Sequence, residues 1–195
     1  MRDRPVPGNA ESPAVAELSC HPDSRRPPVQ ALQARASFLD AHTLSLGFTL
    51  RGGLEALRLP GPEAPERTDG LWQHTCFEAF LAPEGGEGYC EVNLSPSTAW
   101  ASYTFQRYRE GHAPAQGLVP RLVVHRFPDR LEVHAILGLD GVPGLAGRMR
   151  MGLSAVLEQS DGALSYWAIR HPAGAPDFHH PEAFALVVAP APEED

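Results

Sequence analysis

Lysine is absent from this 195-residue chain, and all 16 of its basic residues are arginine. Without lysine the chain has no Schiff-base nucleophile and no lysine for a phosphate-binding loop. Its 24 acidic residues give a formal net charge of −8. An acidic chain is a poor partner for nucleic acid or anionic lipid, so we expect neither nucleic acid nor a membrane as a partner.

Cysteine is scarce, and long hydrophobic runs are missing. The three cysteines are Cys20, Cys76 and Cys90, an odd number whose spacing fits neither a disulfide framework nor a metal-binding knuckle. No run approaches the roughly 20 apolar residues of a membrane helix, and the N-terminal segment lacks the apolar core of a signal peptide. These observations predict a cytoplasmic protein whose cysteines stay reduced.

Three familiar catalytic motifs are also missing from the sequence. It contains no Gly-x-Ser-x-Gly elbow, no glycine-rich phosphate loop and no HExxH helix. We therefore expect a binding protein that carries out no reaction. The alternative is a cytoplasmic enzyme acting on a sugar or sugar nucleotide, with Glu78 as acid or base and Asp69 as a second carboxylate.

Turn-forming residues are abundant, with 18 glycines and 20 prolines, and this density favours an all-β fold. Alternating apolar residues over His42 to Leu50 and Leu131 to Leu137 predict strands with one buried face. Asp161-Gly162 predicts a hairpin between Met149 to Glu158 and Leu164 to Arg170. Ala183 to Val188 completes a set of about ten strands, enough for two packed sheets.

The same patterns predict one folded domain at 14–189. A tail at 1–13, rich in proline and charge, and an acidic tail at 190–195 are expected to be disordered. The segment from Trp100 to Arg109 stays open between a strand of aromatic residues and a helix begun at Ser95-Pro96.

The stretch from Arg67 to Arg109 alternates large aromatic side chains with charged and polar ones. Unpaired polar groups are costly on a plain core strand, so the pattern indicates a sheet face that holds a ligand. His74 and Glu78 share one face of a predicted strand. If the register places Glu78 near Asn93, their polar groups can meet sugar hydroxyls while an aromatic ring stacks on the sugar's C–H face. Alternatively, Glu78 pairs with Arg67 or Arg109 inside the fold.

A histidine-rich segment runs from His171 to His180. Three histidines and Asp177 could hold a metal, but their spacing matches no standard motif, and proline and glycine indicate a loop. We expect His171 and His179 to order a turn or to contact a ligand. Haem ligated by Met149 or Met151 is a further alternative, although alternating methionines are more typical of a core. We expect no cofactor.

The three tryptophans are predicted to differ in their roles. Trp72 follows the Asp69-Gly70 turn, so its ring is expected to face a cleft. Trp167 lies in the middle of a predicted strand and is expected in the core. Trp100 lies in the ambiguous segment and cannot be placed from the sequence.

Five blocks of the sequence resemble the bacterial DOMON-like proteins, which are related to the family 9 carbohydrate-binding modules. The blocks are DGLWQHTCFEAFL, GYCEVNLSPSTAWASYTFQRYR, GLSAVLE, SYWAIRHP and PDFHHPEAF, and the match runs from about His21 to Val188. The resemblance implies a jelly-roll-type β-sandwich with a ligand site on the concave face of one sheet. Wider relatives bind sugars or haem there.

We therefore predict a non-catalytic module that binds a small ligand, with a carbohydrate or sugar-like molecule favoured. A haem-binding module and a purely structural interaction module stay open beside it, and whether there is a protein partner stays unknown. The predicted ligand-binding residues combine the resembling blocks with the two loop histidines. They are Trp72, His74, Glu78, Asn93, Trp100, Arg109, His171 and His179.

Overall fold

Two antiparallel β-sheets pack face to face in the computed structural model, which describes residues 13–145 and 147–192. The two-sheet β-sandwich predicted from the sequence is therefore confirmed. Apart from Pro13 and residues 190–192, the two predicted tails lie outside the described residues. Within those residues, no helix is long and apolar enough to cross a membrane.

The described residues form thirteen strands. They are β1 (Ala14–Glu17), β2 (Ser19–Cys20), β3 (Ala31–Asp40), β4 (Thr43–Arg51), β5 (Cys76–Pro83), β6 (Tyr89–Leu94), β7 (Trp100–Phe105), β8 (Ala113–Pro114), β9 (Arg121–Arg126), β10 (Arg130–Gly138), β11 (Met149–Glu158), β12 (Leu164–Ala168) and β13 (Leu186–Val188). Short 3-10 helices occupy Leu54–Ala56, Leu71–Gln73 and Pro181–Ala183.

The strands divide into a five-stranded sheet and an eight-stranded sheet. The order is β1-β3-β4-β10-β9 in the first and β2-β12-β11-β5-β6-β7-β8 in the second, where β13 also pairs with β11. Strands β2 and β8 have only two residues each, which accounts for most of the excess over the ten predicted strands.

Two local features refine the sequence prediction. The ambiguous segment is a strand over Trp100–Phe105, because its residues pair along β6. The last predicted strand, Ala183 to Val188, begins only at Leu186, because Pro181–Ala183 closes a 3-10 turn in front of it.

The core lies between the two sheets and follows the predicted alternation. On β4, Leu44, Leu46, Phe48 and Leu50 are at most 1% exposed, and the ring of Phe48 lies 5.3 Å from that of Phe77 on β5. Burial of each such side chain is worth about 1.5–3 kcal/mol. Met149 and Met151 are fully buried in the same core.

The eight-stranded sheet has an outer face of different composition. Because successive side chains of a strand point to opposite sides, Phe77 and Leu81 of β5 enter the core while Glu78 and Phe80 point away from it. Glu91 of β6 and Tyr103 of β7 lie directly opposite each other on this outer face. The polar and aromatic residues noted in the sequence are thus collected on one surface.

Candidate functional site

A cleft of about 860 Å³ lies on the outer face of the eight-stranded sheet. Strands β5, β6, β7, β11 and β12 contribute its floor, while segments 67–73, 109–114 and 176–179 contribute its walls. The lining combines aromatic rings with carboxyl, guanidinium and imidazole groups. Floor and walls therefore come from different kinds of structure, strands below and connections around them.

The floor is organised by one row of paired residues across three strands. Glu78 lies opposite Ser154 of β11 on one side and opposite Asn93 of β6 on the other. Directly opposite residues in an antiparallel pair bring their Cβ atoms within about 5 Å. The register thus gives the adjacency of Glu78 and Asn93 that the ligand-binding interpretation of the sequence requires.

Three polar atoms of this row are buried and lack a hydrogen-bond partner among the described residues. They are Glu78 Oε1, Asn93 Oδ1 and Ser154 Oγ. Most buried polar groups in folded proteins are hydrogen-bonded, and an unsatisfied one costs about 1–3 kcal/mol. Of these three residues only Glu78 lines the cleft; the predicted site residue Asn93 and Ser154 are buried beside it, outside the lining.

A second carboxyl group lies beside the first. Asn93 donates its Nδ2 to Glu91 Oε1 at 2.7 Å, and Glu91 is a diagonal cross-strand neighbour of Glu78. Burial, and to a lesser extent the nearby Glu91 carboxyl, raises the pKa of Glu78 well above its ordinary value. Burial also raises the pKa of Glu91, against the opposing effects of Asn93 and Arg109. The floor thus holds two carboxyl groups that resist ionisation.

The alternative interpretation, in which Glu78 pairs with Arg67 or Arg109, is wrong. Arg67 instead forms a two-point contact with Asp69, with nitrogen–oxygen distances of 2.8 and 3.1 Å. Arg109 donates to Asp177 Oδ1 at 2.8 Å. Both arginines belong to the walls, where each binds an aspartate of a connecting segment instead of a carboxyl group of the floor.

Aromatic hydroxyl groups reinforce both wall ion pairs. Tyr103 donates its hydroxyl to Asp69 Oδ1 at 2.6 Å, and the Arg67 guanidinium lies over the Tyr103 ring at 5.4 Å. In the opposite wall Tyr108 donates to Asp177 Oδ2, also at 2.6 Å. The two walls therefore hold their charged groups by similar combinations of arginine, aspartate and tyrosine.

His179 connects one wall to the floor. Its Nδ1 lies 2.8 Å from the Tyr89 hydroxyl, which accepts a bond from the Arg109 backbone N–H. Burial, followed by the charge of Arg109, lowers the pKa of His179 to about 4. The imidazole is consequently neutral at neutral pH, although its Nε2 lies 3.8 Å from Glu91.

The tryptophans are placed largely as their surroundings in the sequence indicated. Trp72 lines the cleft with 51% of its surface exposed, whereas Trp167 is 1% exposed in the core. Trp72 lies in a 3-10 helix rather than at a strand edge, because Gly70 turns the chain with a left-handed φ of 78°. Trp100 is half-buried and lies outside the cleft lining. Its backbone bonds to Glu66 and Thr68 hold the wall that contains Arg67.

Two of the predicted histidines also lie outside the cleft. His74 contacts Glu158 at 2.8 Å, and Arg58 binds the other oxygen of the same carboxylate. His171 donates its Nε2 proton to the Ser19 carbonyl, and its ring lies 6.4 Å from that of Phe178, a cleft residue. In the described part of the chain, no three His, Cys, Asp or Glu side chains converge as metal ligands.

Several residues of the site were not among those predicted from the sequence. Glu91, Tyr103 and Phe105 line the cleft from β6 and β7. The signal for Glu91 was available, since it shares a strand face with Asn93. Asp177, by contrast, reaches Arg109 across 68 residues of sequence, and nothing in the local pattern indicates that contact.

Comparison with family models and with curated proteins finds no match. Three solved structures share the fold. A Bacteroides uniformis protein, provisionally assigned to carbohydrate binding, has 14% identity and a TM-score of 0.61, with 89% of this chain and 86% of that chain covered. A family 9 carbohydrate-binding module from Caldicellulosiruptor kristjanssonii, solved with cellotriose, has 10% identity and a TM-score of 0.56, with 100% and 92% covered.

The third structure is a family 9 module from the same organism in complex with glucose. It has 12% identity and a TM-score of 0.55, with 100% of this chain and 91% of that chain covered. Structural likeness at such low sequence identity establishes a common fold alone, which is the β-sandwich of the family 9 modules. They do not transfer a ligand by themselves.

Proposed function

We propose that this protein is a non-catalytic carbohydrate-binding module whose outer-face cleft binds a small sugar or sugar-like molecule. Glu78 carries the proposal, because it lines the cleft and its buried Oε1 lacks a partner among the described residues, as do Asn93 Oδ1 and Ser154 Oγ on the adjoining strands. A sugar hydroxyl group can donate a hydrogen bond to such a carboxyl oxygen.

The aromatic walls support the same ligand class. Trp72, Tyr103, Phe105 and Phe178 all line the cleft. A sugar ring presents an apolar C–H face, and aromatic side chains provide a matching surface with a large buried area. The cleft volume of about 860 Å³ falls within the range of roughly 300–1,000 Å³ typical of small-molecule sites.

The structural neighbours add independent support. Two family 9 modules with this fold were solved with cellotriose and glucose. Their likeness covers the whole of this chain, so the sandwich that carries the cleft is the part they share. We also propose a DOMON-like domain, as the sequence blocks suggest. Separately, we propose that the protein works in the cytoplasm, which cell fractionation would test.

Isothermal titration calorimetry with glucose and cellotriose tests the proposal directly. We expect saturable binding of at least one of these sugars, and a loss of at least tenfold in affinity for Trp72→Ala. Val123→Ala is the matched control, because Val123 is a similarly exposed apolar residue, 50% exposed, on the five-stranded sheet. Equal affinity of the two variants, or no binding of any sugar to the wild-type protein, would contradict the proposal.

An enzyme acting on a sugar or sugar nucleotide is the second candidate. The observation that favours it is the raised pKa of Glu78, because a carboxyl group protonated at neutral pH can act as a general acid. Chromogenic aryl glycosides provide the assay. If the wild type turns these substrates over and Glu78→Gln does not, the protein is this enzyme and not a non-catalytic module. If the wild type binds sugar without turnover, enzymatic activity is excluded for those substrates.

A further inference from the structure

We propose that the cleft selects a sugar that carries a protonated amine over the corresponding neutral sugar, and that Glu78 and Glu91 hold the ammonium group. This inference names the ligand class of the proposed carbohydrate site and therefore rests on that function. Four features of the cleft carry it: the charge balance, the arrangement of acceptors, the aromatic lining and the burial of the floor.

The charges of the cleft are unevenly matched. Arg67 is paired with Asp69, and Arg109 with Asp177, so both wall guanidinium groups already have a carboxylate. The carboxyl groups of Glu78 and Glu91 have no arginine partner within the described residues. His179 is the nearest basic side chain to Glu91 and is neutral at neutral pH. A cation is therefore the charge that the floor lacks.

The acceptors on the floor suit an ammonium group. An ammonium ion presents three N–H donors and no acceptor. Glu78 and Glu91 both line the cleft, Glu78 Oε1 has no partner among the described residues, and Glu91 contributes a second carboxyl from a diagonal position. A neutral hydroxyl brings one donor, so it leaves part of this set unsatisfied.

The aromatic lining favours a cation as well. Tyr103 and Phe105 of β7, Tyr166 of β12 and Phe178 of one wall line the same cleft as the carboxyl pair. An ammonium group within about 6 Å of an aromatic ring is attracted to the electrons of its face, and the attraction increases when the group is desolvated. An anionic ligand would meet the same faces and both carboxyl groups unfavourably.

Burial makes the choice of ligand charge matter. Glu78 is 3% exposed and Glu91 is 5% exposed, so water screens their interactions poorly. When a neutral sugar is bound, no positive charge offsets the cost of ionising the two adjacent carboxyl groups. An ammonium group allows them to ionise, and each hydrogen bond to it becomes charge-assisted and about twice as strong as a neutral one.

Three sugars of nearly the same shape provide the test. Glucose carries a hydroxyl at the second carbon, glucosamine carries an amine there, and N-acetylglucosamine carries a neutral amide. Calorimetry at low ionic strength and at about pH 6.5, where the amine is protonated, gives the three affinities. We expect glucosamine to bind at least tenfold more tightly than either neutral sugar.

The variants locate the preference on the floor. Glu78→Gln is expected to reduce the affinity for glucosamine to that for glucose, because glutamine keeps the shape but cannot ionise. Glu132→Gln is the control, since Glu132 lies on the outer face of the five-stranded sheet, bound to Arg130. Glu91→Gln provides a second test of the carboxyl pair, and the thermal midpoint of each variant verifies its fold.

The outcomes distinguish this inference from the function on which it rests. If glucose or N-acetylglucosamine binds as tightly as glucosamine, the amine preference is refuted and the carbohydrate site stands. If none of the three sugars binds, both proposals fall for this ligand size. Undiminished glucosamine selectivity in Glu78→Gln and Glu91→Gln, with the folds intact, would place the amine elsewhere and also refute the inference.

Discussion

Replacing Glu78 by glutamine tests whether this buried carboxyl group is uncharged in the folded protein. The side chain is 3% exposed, and burial, followed by the neighbouring Glu91, raises its pKa well above the ordinary value. Glutamine has the shape of the protonated carboxyl group, so we expect the variant to fold. The informative quantity is the difference in unfolding free energy between variant and wild type as a function of pH.

The direction of the effect follows from proton linkage. The folded pKa of Glu78 lies above the unfolded one, so the contribution of this group to stability is fully present below the unfolded pKa. It is lost as the pH rises toward the folded pKa, by about 1.4 kcal/mol per pH unit. Between about pH 5 and pH 7 the variant should therefore gain stability relative to the wild type as the pH rises.

Chemical denaturation of wild type and variant at several pH values measures this difference. Glu132→Gln serves as the control, because Arg130 lowers the pKa of Glu132, and its contribution is lost only as the pH falls into the acid range. Its stability difference should stay flat over the same window. If Glu78→Gln instead costs about 3–5 kcal/mol at neutral pH, as loss of a buried ion pair would, the reasoning about an uncharged Glu78 is refuted.

Three further predictions concern other side chains of the sandwich. Acrylamide should quench Trp72 and spare Trp167 in single-tryptophan variants, and Trp167→Ala should cost about 3–5 kcal/mol of unfolding free energy; a freely quenched Trp167 would contradict its burial. Ser154→Ala should cost less stability than Ser102→Ala by about 1 kcal/mol or more, since Ser102 donates to two carbonyl oxygens and Ser154 Oγ has no partner among the described residues. Calorimetric unfolding compares the two variants. Equal losses would show that the Ser154 hydroxyl has a hydrogen-bond partner in solution. The His179 ring should show no protonation by NMR until the pH falls toward about 4, and a midpoint near the ordinary histidine value would refute its burial beside Arg109.

The strand architecture could be predicted from the sequence because its signal is local. Alternation of apolar residues identified β4 and β10, and the spacing around the β5–β6 hairpin allowed Glu78 to face Asn93. The same alternation separates the core side chains of β5 from those of the outer face. Trp167 in mid-strand and Trp72 after a glycine turn were placed correctly for related reasons, since strand position and turn chemistry decide exposure at those points.

The partners of the long charged side chains could not be predicted, because they depend on how distant connections fold. Arg109 lies in a left-handed backbone conformation with φ of 56°, and its side chain binds Asp177 rather than the floor. His74 reaches Glu158 across 84 residues of sequence, and Trp100 lies outside the cleft at the first position of its strand. Such contacts follow from the assembled fold and leave no periodic trace in the sequence.

The division of the cleft into a strand-built floor and loop-built walls has a consequence for engineering. The acceptor row is fixed by the pairing of β11, β5 and β6, whereas the residues around it come from segments outside those pairings. Grafting a longer connection at 109–114 or 176–179 would therefore change the length and branching of the molecule that fits without altering the atoms that recognise it. One sheet can in this way serve as the constant part of a series of custom receptors.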